Sequence, residues 1–204
     1  MKAIMPRIEK GWVDEILVMD GGSTDGTVEY VKEYGYTLLS QKRKGIRHAY
    51  DEAMGHISGD IVIVFSPDGN SIPEVIPQLA SKISEGYDMV IASRYLGEAK
   101  SYDDGMITGF GNWMFTKLIN TLYGARYTDS FVMYRAWRKQ LFFDLDLHKD
   151  ESYSVEEKMF CTVVGVEPLM SIRSAKRKLK CTEIPADEPP RIGGKAKLQP
   201  LRWG

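Results

Sequence analysis

Residues 14–27 read DEILVMDGGSTDGT, and this stretch decides the fold. The run EILVM is short, mostly apolar and partly β-branched, and it stops at a cluster of turn formers. It therefore predicts a strand whose carboxyl end opens into a loop. Asp25 is placed to N-cap the next segment, TVEYVKEYG, in which Val28 and Val31 share a face and Gly35 takes the position of a C-cap glycine. Strand, loop and helix make half of a βαβ unit. The next segments repeat the pattern: a short strand over 36–40, a basic loop QKRKG, and a helix from about Ile46 to Ile57.

Ile61 to Phe65 is a bare hydrophobic run after Gly59-Asp60, the pattern of a strand buried on both faces of a parallel sheet, and it ends at SPDGNSIPE. Ser71 precedes Glu74 by three residues with Pro73 between them, which predicts a capping box at the start of a helix carrying Val75, Ile76, Leu79 and Ile83 on one face. A further buried strand is expected over 88–93 (DMVIAS). Strands alternating with helices predict an α/β fold with a mostly parallel, doubly wound sheet. Beyond Arg94 the rhythm changes. Residues 96–108 read as a loop, 110–123 (FGNWMFTKLINTLY) as an aromatic-rich helix with its apolar side chains in the core, and 129–142 as a short strand running into a helix. A helix over 167–178, a strand over 179–184 and an extended loop over 185–194 complete the reading.

Composition bounds the function. The 204 residues carry 27 Lys plus Arg against 28 Asp plus Glu and are 43% hydrophobic, which describes an ordinary globular domain and excludes a disordered or collagenous chain. No apolar run approaches the ~18 residues of a membrane span. Cys161 and Cys181 are too few for a disulfide framework and have no zinc spacing, so a cytoplasmic location is expected. Residues 171–204 carry a net charge of +6, leaving −7 for the rest, which suits phosphate groups or the inner face of an anionic membrane. Nucleic acid is not expected as a partner, because no zinc knuckle or RNP-like aromatic pattern accompanies the charge. One domain over 1–184, with a basic loop or tail over 185–204 completing a phosphate site, is the expected organisation.

In open α/β sheets ligands bind beyond the carboxyl ends of the strands. Loops there carry Asp20 with Asp25, Asp68 and, further on, Asp129, each of which also has a purely structural reading as a turn or cap residue. Asp68 has least need of one, since Ser71 supplies the expected cap.

Taken together and in order, VMDGGSTDGT, FSPDGNSIPE, IASRY, TDSFVMYRA and PRIGGKAKL resemble the motifs of glycosyltransferase family 2, most closely its dolichol-phosphate mannosyltransferase-like branch. The resemblance spans nearly the whole chain. It implies a GT-A fold, a GDP- or UDP-hexose donor, Mg²⁺ or Mn²⁺, and inverting transfer to an acceptor that is often a polyprenyl phosphate. It further implies that Asp20, Gly22 and Ser23 contact the nucleotide and that Lys44, Arg94, Arg191 and Lys195 meet phosphate. Asp68 with Asn70 would hold the metal, Asp129 would activate or orient the acceptor, and Arg135 would neutralise an acceptor phosphate or form an internal salt bridge.

Departures from the pattern are equally legible. Ser66 and Asp68 stand where the family has two aspartates, Gly21 replaces a second Asp, and Val132-Met133 replace Ser-Gly. The opening MKAIMPRIEKGWVDE resembles the family's first helix without the strand before it, so a truncated start, a sheet with a gap, impaired donor binding and an exposed edge favouring a homodimer are expected. Two other functions compete: a nucleotidyltransferase, which would need a glycine-rich basic loop after the first strand, and a non-catalytic binding module descended from a transferase.

Overall fold

The computed structural model describes residues 1–161 and 163–192. Its elements run in chain order: β1 (Leu17–Asp20), α1 (Thr27–Glu33), β2 (Thr37–Ser40), α2 (Ile46–Met54), β3 (Ile61–Val64), α3 (Ile76–Ser84) and β4 (Met89–Ser93). After these come α4 (Met106–Tyr123), β5 (Arg135–Arg138), α5 (Lys139–Asp144), α6 (Ser154–Phe160), α7 (Val166–Lys176) and β6 (Cys181–Pro185). Most elements fall where the hydrophobic pattern puts them. The helix α6 is an addition to that pattern, and α4 begins four residues earlier than the sequence suggests.

Strands form two separate pieces: β1 with β2 in parallel, and a four-stranded sheet in the order β3-β5-β4-β6. In the larger piece β5 runs antiparallel between β3 and β4, while β6 is parallel to β4. The expected gap is thus present, with no strand joining β1 to β3 among the described residues. Glu15, just before β1, accepts hydrogen bonds from the Ser58 and Gly59 amides ahead of β3 at 2.7 and 3.2 Å, so the starts of the two pieces are pinned together.

Strand β4 is the centre of the core, buried at every position because helices cover both faces. Helix α3 lays Ile76, Leu79 and Ile83 on one face. On the other, α2 and α7 enclose Trp137, which stacks on Tyr50 with ring centroids 6.0 Å apart. Two expectations are corrected at this point. Strand β3 is a sheet edge with only Val62 buried, since no strand among the described residues pairs with its outer side. The capping box does not form: the chain enters α3 through a 3₁₀ turn, Pro73–Val75, and Glu74 instead forms a bidentate pair with Arg7.

Helix α4 overturns a third expectation. Phe110, Trp113, Met114, Phe115, Leu118 and Leu122 are exposed, and the inward positions are Asn112, Thr116 and Ile119. Its sequence lacks a distinct apolar stripe because apolar residues occupy most positions, and the polar ones decide which side turns inward. No helix among the described residues is long and apolar enough to cross a membrane.

Candidate active site

Topology explains why the candidate residues meet. Strands β3, β4 and β6 point the same way, so the loops after them, carrying Asp68, Arg94 and residues 186–192, emerge at one edge of the sheet. Because β5 runs the opposite way, the segment before it, Thr128–Val132, arrives at that same edge. Four loops distant in sequence therefore surround one place.

On one side of it, Arg191 Nη1 donates to Asp68 Oδ2 at 2.8 Å and its Nε to Asp103 Oδ2 at 2.8 Å. Asn70, with its amide turned to suit its neighbours, donates to Asp68 Oδ1 and accepts from Arg191 Nη2. The Ile192 amide also bonds the Asp68 carbonyl at 2.8 Å, holding the final described residues against the loop. Gly69 makes that closeness feasible: φ is +105°, and a Cβ there would lie 2.6 Å from Ile192 Cγ1. Burial opposes the Arg191 charge, but Asp103 and Asp68 hold its pKa above the ordinary guanidinium value.

On the other side lies a buried ion pair. Asp129, fully buried, receives Arg94 Nε at 2.7 Å and Nη2 at 3.1 Å, Asn112 Nδ2 at 3.0 Å, and the Phe131 and Val132 amides. Burial pushes its carboxyl upward; the hydrogen bonds and charge of Arg94 outweigh burial and leave the pKa below the usual range. Arg94 Nη1 in turn reaches Asp104 at 3.0 Å and Glu188 at 3.1 Å. Burial again works against the charge, and Asp129 first, then Glu188 and Asp104, hold the guanidinium above its normal value. Adjacent residues Asp103 and Asp104 thus link the two arginines.

Glu183 on β6 supports the arrangement from below. Its carboxylate accepts the Thr128 amide at 2.8 Å, the Thr128 hydroxyl at 2.7 Å and the Asp129 amide at 3.1 Å. Burial nevertheless raises its pKa.

Other expected site residues lie elsewhere. Arg135 is fully buried and spends its guanidinium on the carbonyls of Ser130, Val132 and Glu167 and the Ser171 hydroxyl. A phosphate has no route to it, which corrects the assignment, and among the described residues it forms no salt bridge either. Asp20 accepts the Gly22 and Ser23 amides at 3.2 and 3.0 Å and shapes its own turn. Bonds from Ser23, hydroxyl first, lower its pKa. Among the described residues no hydrogen bond or ion pair joins Asp20, Gly22, Ser23 or the exposed Lys44 to the Arg94–Asp68 cluster. Lys195 lies outside the described residues.

Two concavities are lined by residues outside the cluster. One of about 660 Å³ is lined by Arg43, Arg47, His48, Asp150 and Glu157, and is crossed by the ion pairs of Arg47 with Asp150 and Glu157. Another of about 420 Å³, with Met19, Leu38, Lys42 and His56, lies between α2 and the β1–β2 pair.

Known proteins resemble this chain in sequence and in fold. The family model described as "Glycosyl transferase family 2" matches residues 10–144. The chain belongs to that family. Glycosyltransferase AglJ of Haloferax volcanii is 29% identical over 191 residues, covering 93% of this chain, which spans 59% of that relative's length. A dolichyl-phosphate hexose transferase of the same organism is 26% identical over 190 residues, covering 93% of this chain and 76% of the relative. Among solved structures, glucosyl-3-phosphoglycerate synthase from Mycobacterium tuberculosis in complex with Mn²⁺, UDP and glucosyl-3-phosphoglycerate superposes with a TM-score of 0.68 at 21% identity, covering 98% of this chain and 67% of that one. A complex of the same enzyme with Mg²⁺ and UDP gives 0.66 at 20% identity, covering 98% and 66%. The fold is the GT-A-like α/β fold.

In this family 2 chain the cluster is legible from sequence at Asp68, Asn70, Arg94, Asp129 and Arg191. Asp103, Asp104, Glu183 and Glu188 are not; the doubled acid of SYDDG, just after IASRY, is the one signal available for the first two. A divalent ion fits the donor set only in part. Asp68 and Asn70 offer hard oxygens, but no group of three acidic, His or Cys side chains lies together among the described residues. Such a site suits Mg²⁺ or Mn²⁺ only when substrate phosphates complete the shell.

Proposed function

We propose that this chain performs inverting transfer of a hexose from a GDP- or UDP-sugar to a polyprenyl phosphate or a similar phosphate-bearing acceptor, with Mg²⁺ or Mn²⁺. The observation that carries the reading is the meeting of Arg94 and Arg191 with Asp68 at one sheet edge. Two guanidiniums held by carboxylates form a site in which a diphosphate can exchange places with Asp103, Asp104 or Glu188. The names of the Haloferax relatives support the sugar-transfer and lipid-phosphate parts of the reading.

In such a reaction the bond between the anomeric carbon and the diphosphate oxygen breaks, and that oxygen leaves with the electron pair. An acceptor oxygen forms the new bond from the opposite face. Arg94 and Arg191 meet the charge that builds on the departing diphosphate. Asp68 and Asn70 would hold the ion, which supplies Lewis-acid stabilisation of the same charge when bound. A phosphate monoester acceptor, with a second pKa of about 6, already presents an anionic oxygen at pH 7 and needs no general base. Asp129 therefore acts as a positioning residue: its carboxylate fixes Arg94. Asp20, Gly22 and Ser23 are proposed to face the nucleoside, and Lys44 and Lys195 to add phosphate contacts.

A second reading is favoured by one observation, that among the described residues no hydrogen bond or ion pair joins the Asp20 turn to the Arg94 cluster: a module that binds nucleotide without transferring sugar. The test is incubation with UDP-glucose or GDP-mannose, Mn²⁺ and a short-chain polyprenyl phosphate, with Arg94→Ala alongside. Glycolipid formed by the wild type and lost in Arg94→Ala supports transfer. Nucleotide binding without product supports the module, and equal turnover in Arg94→Ala contradicts the assigned site.

A further inference from the structure

Helix α4 is inverted relative to an ordinary surface helix. Its inward positions are fixed by polar bonds: Asn112 to Asp129 at 3.0 Å, Thr116 to Ser130 at 2.7 Å, and Asn120 to the Tyr127 carbonyl and amide at 2.7 and 2.9 Å. These residues recur at i, i+4 and i+8, so one side of the helix is bonded to the body through a row of polar groups. The outward side carries Met106, Ile107, Phe110, Trp113, Leu118 and Leu122, with relative exposures of 94, 65, 62, 56, 51 and 62%. They form a strip about 24 Å long on an 18-residue helix whose sole charged residue is Lys117. Soluble monomers rarely leave so large a contiguous apolar patch in water.

We infer that the outward face of α4 is a membrane-docking surface, seated on a bilayer containing anionic lipids, which brings the Arg94–Asp129 side of the site to the level of the lipid headgroups. Two further observations select a lipid surface. Basic side chains border the carboxyl-terminal half of the strip: Lys117 within α4, and Arg126 and Lys178 at its end, all exposed, the last donating to the Tyr123 carbonyl. Acyl chains can take the apolar strip while headgroup phosphates take this rim. The strip also contains Trp113 stacked against Phe110, with centroids 5.7 Å apart, and such rings are favoured at the boundary between hydrocarbon and headgroups. Asn112 connects this face to function, since the residue that bonds Asp129 is one position from Trp113. The functional meaning of the surface rests on the proposed lipid-linked acceptor; its physical evidence does not.

The experiment is co-sedimentation of the full chain with vesicles of phosphatidylcholine alone and of phosphatidylcholine mixed with phosphatidylglycerol, without donor or acceptor. The probes are Phe110→Ser with Trp113→Ser, and Lys117→Glu. Binding to the mixed vesicles is expected to weaken with added salt. It should fall roughly tenfold or more in the double variant, whose thermal unfolding should be unchanged, because both rings project into solvent in the free protein. Lys117→Glu should lower binding to mixed vesicles while sparing any binding to neutral ones. Brominated lipids should quench Trp113 fluorescence. Absence of binding to either vesicle, or equal binding by the double variant, overturns the inference. So does a dimer in sedimentation analysis that the double variant dissociates, since a second copy would then own the face. Nucleotide binding measured without vesicles tests the proposed transferase reading separately, so the two can fail independently.

Discussion

Asp129 is the side chain most tightly constrained by its surroundings: no exposed surface, two ion-pair contacts to Arg94 and bonds from Asn112 and two amides. Its carboxyl pKa is lowered in the folded chain, so the stability it contributes is present above the unfolded value of about 3.9 and is lost as pH falls through the lower folded value. Asp129→Asn should cost about 3 kcal/mol at pH 7, because it removes one member of a buried pair. Urea unfolding at a series of pH values should show this difference narrowing below about pH 4; a constant difference down to pH 2 would contradict the assignment. Asp129 and Arg94 can be picked out in the sequence because each sits in a motif beside a strand terminus, Arg94 after β4 and Asp129 before β5. Their mutual bond cannot, since it spans 35 residues and depends on β5 running antiparallel. Arg135 misleads for a related reason: a cation beside TDS looks like a ligand contact until the strand is seen to turn it toward α7.

At the scale of elements, loops against loops make the site. Gly69 is the hinge of this packing, and Gly69→Ala combines a positive φ with a Cβ placed 2.6 Å from Ile192. It should destabilise by about 1–3 kcal/mol. Nucleotide affinity should drop as well, because the Arg191 loop must lift from Asp68. Calorimetric titration and thermal unfolding of this variant check both; unchanged affinity would detach Arg191 from the donor site. Strand and helix positions are readable because periodicity is local. The inversion of α4 is not, because its apolar residues are spread around the helix and only the partners of Asn112 and Thr116, more than ten residues away, fix which side turns inward. The capping box fails for the same reason: Arg7, distant in sequence, takes Glu74.

Over the whole molecule, the division of the sheet sets the balance of stability. β4 is enclosed between helices and paired on both sides, whereas among the described residues β1 pairs with β2 alone and both strands are only partly buried. Hydrogen exchange should find β4 amides opening only with global unfolding and those of β1 and β2 exchanging at lower free energy; uniform protection would mean the two pieces form one cooperative sheet. A break in the sheet is legible in the sequence, where residues 1–13 carry no strand pattern; they hold a 3₁₀ turn, Met5–Arg7, and not the expected helix. That Glu15 ties the pieces together across the break is not legible, since the bond joins segments more than forty residues apart.

The central claim is that Asp68, Arg94 and Arg191 form the site for the donor diphosphate. It is tested most directly by thermal unfolding with GDP and with UDP, each with Mn²⁺, alongside Asp68→Asn. Ligand at about 100 times its dissociation constant should raise the midpoint by roughly 5 to 10 °C for a chain of this size. The account predicts such a shift with one nucleotide and its loss in Asp68→Asn. No shift with either nucleotide, or a shift undiminished in Asp68→Asn, would contradict it.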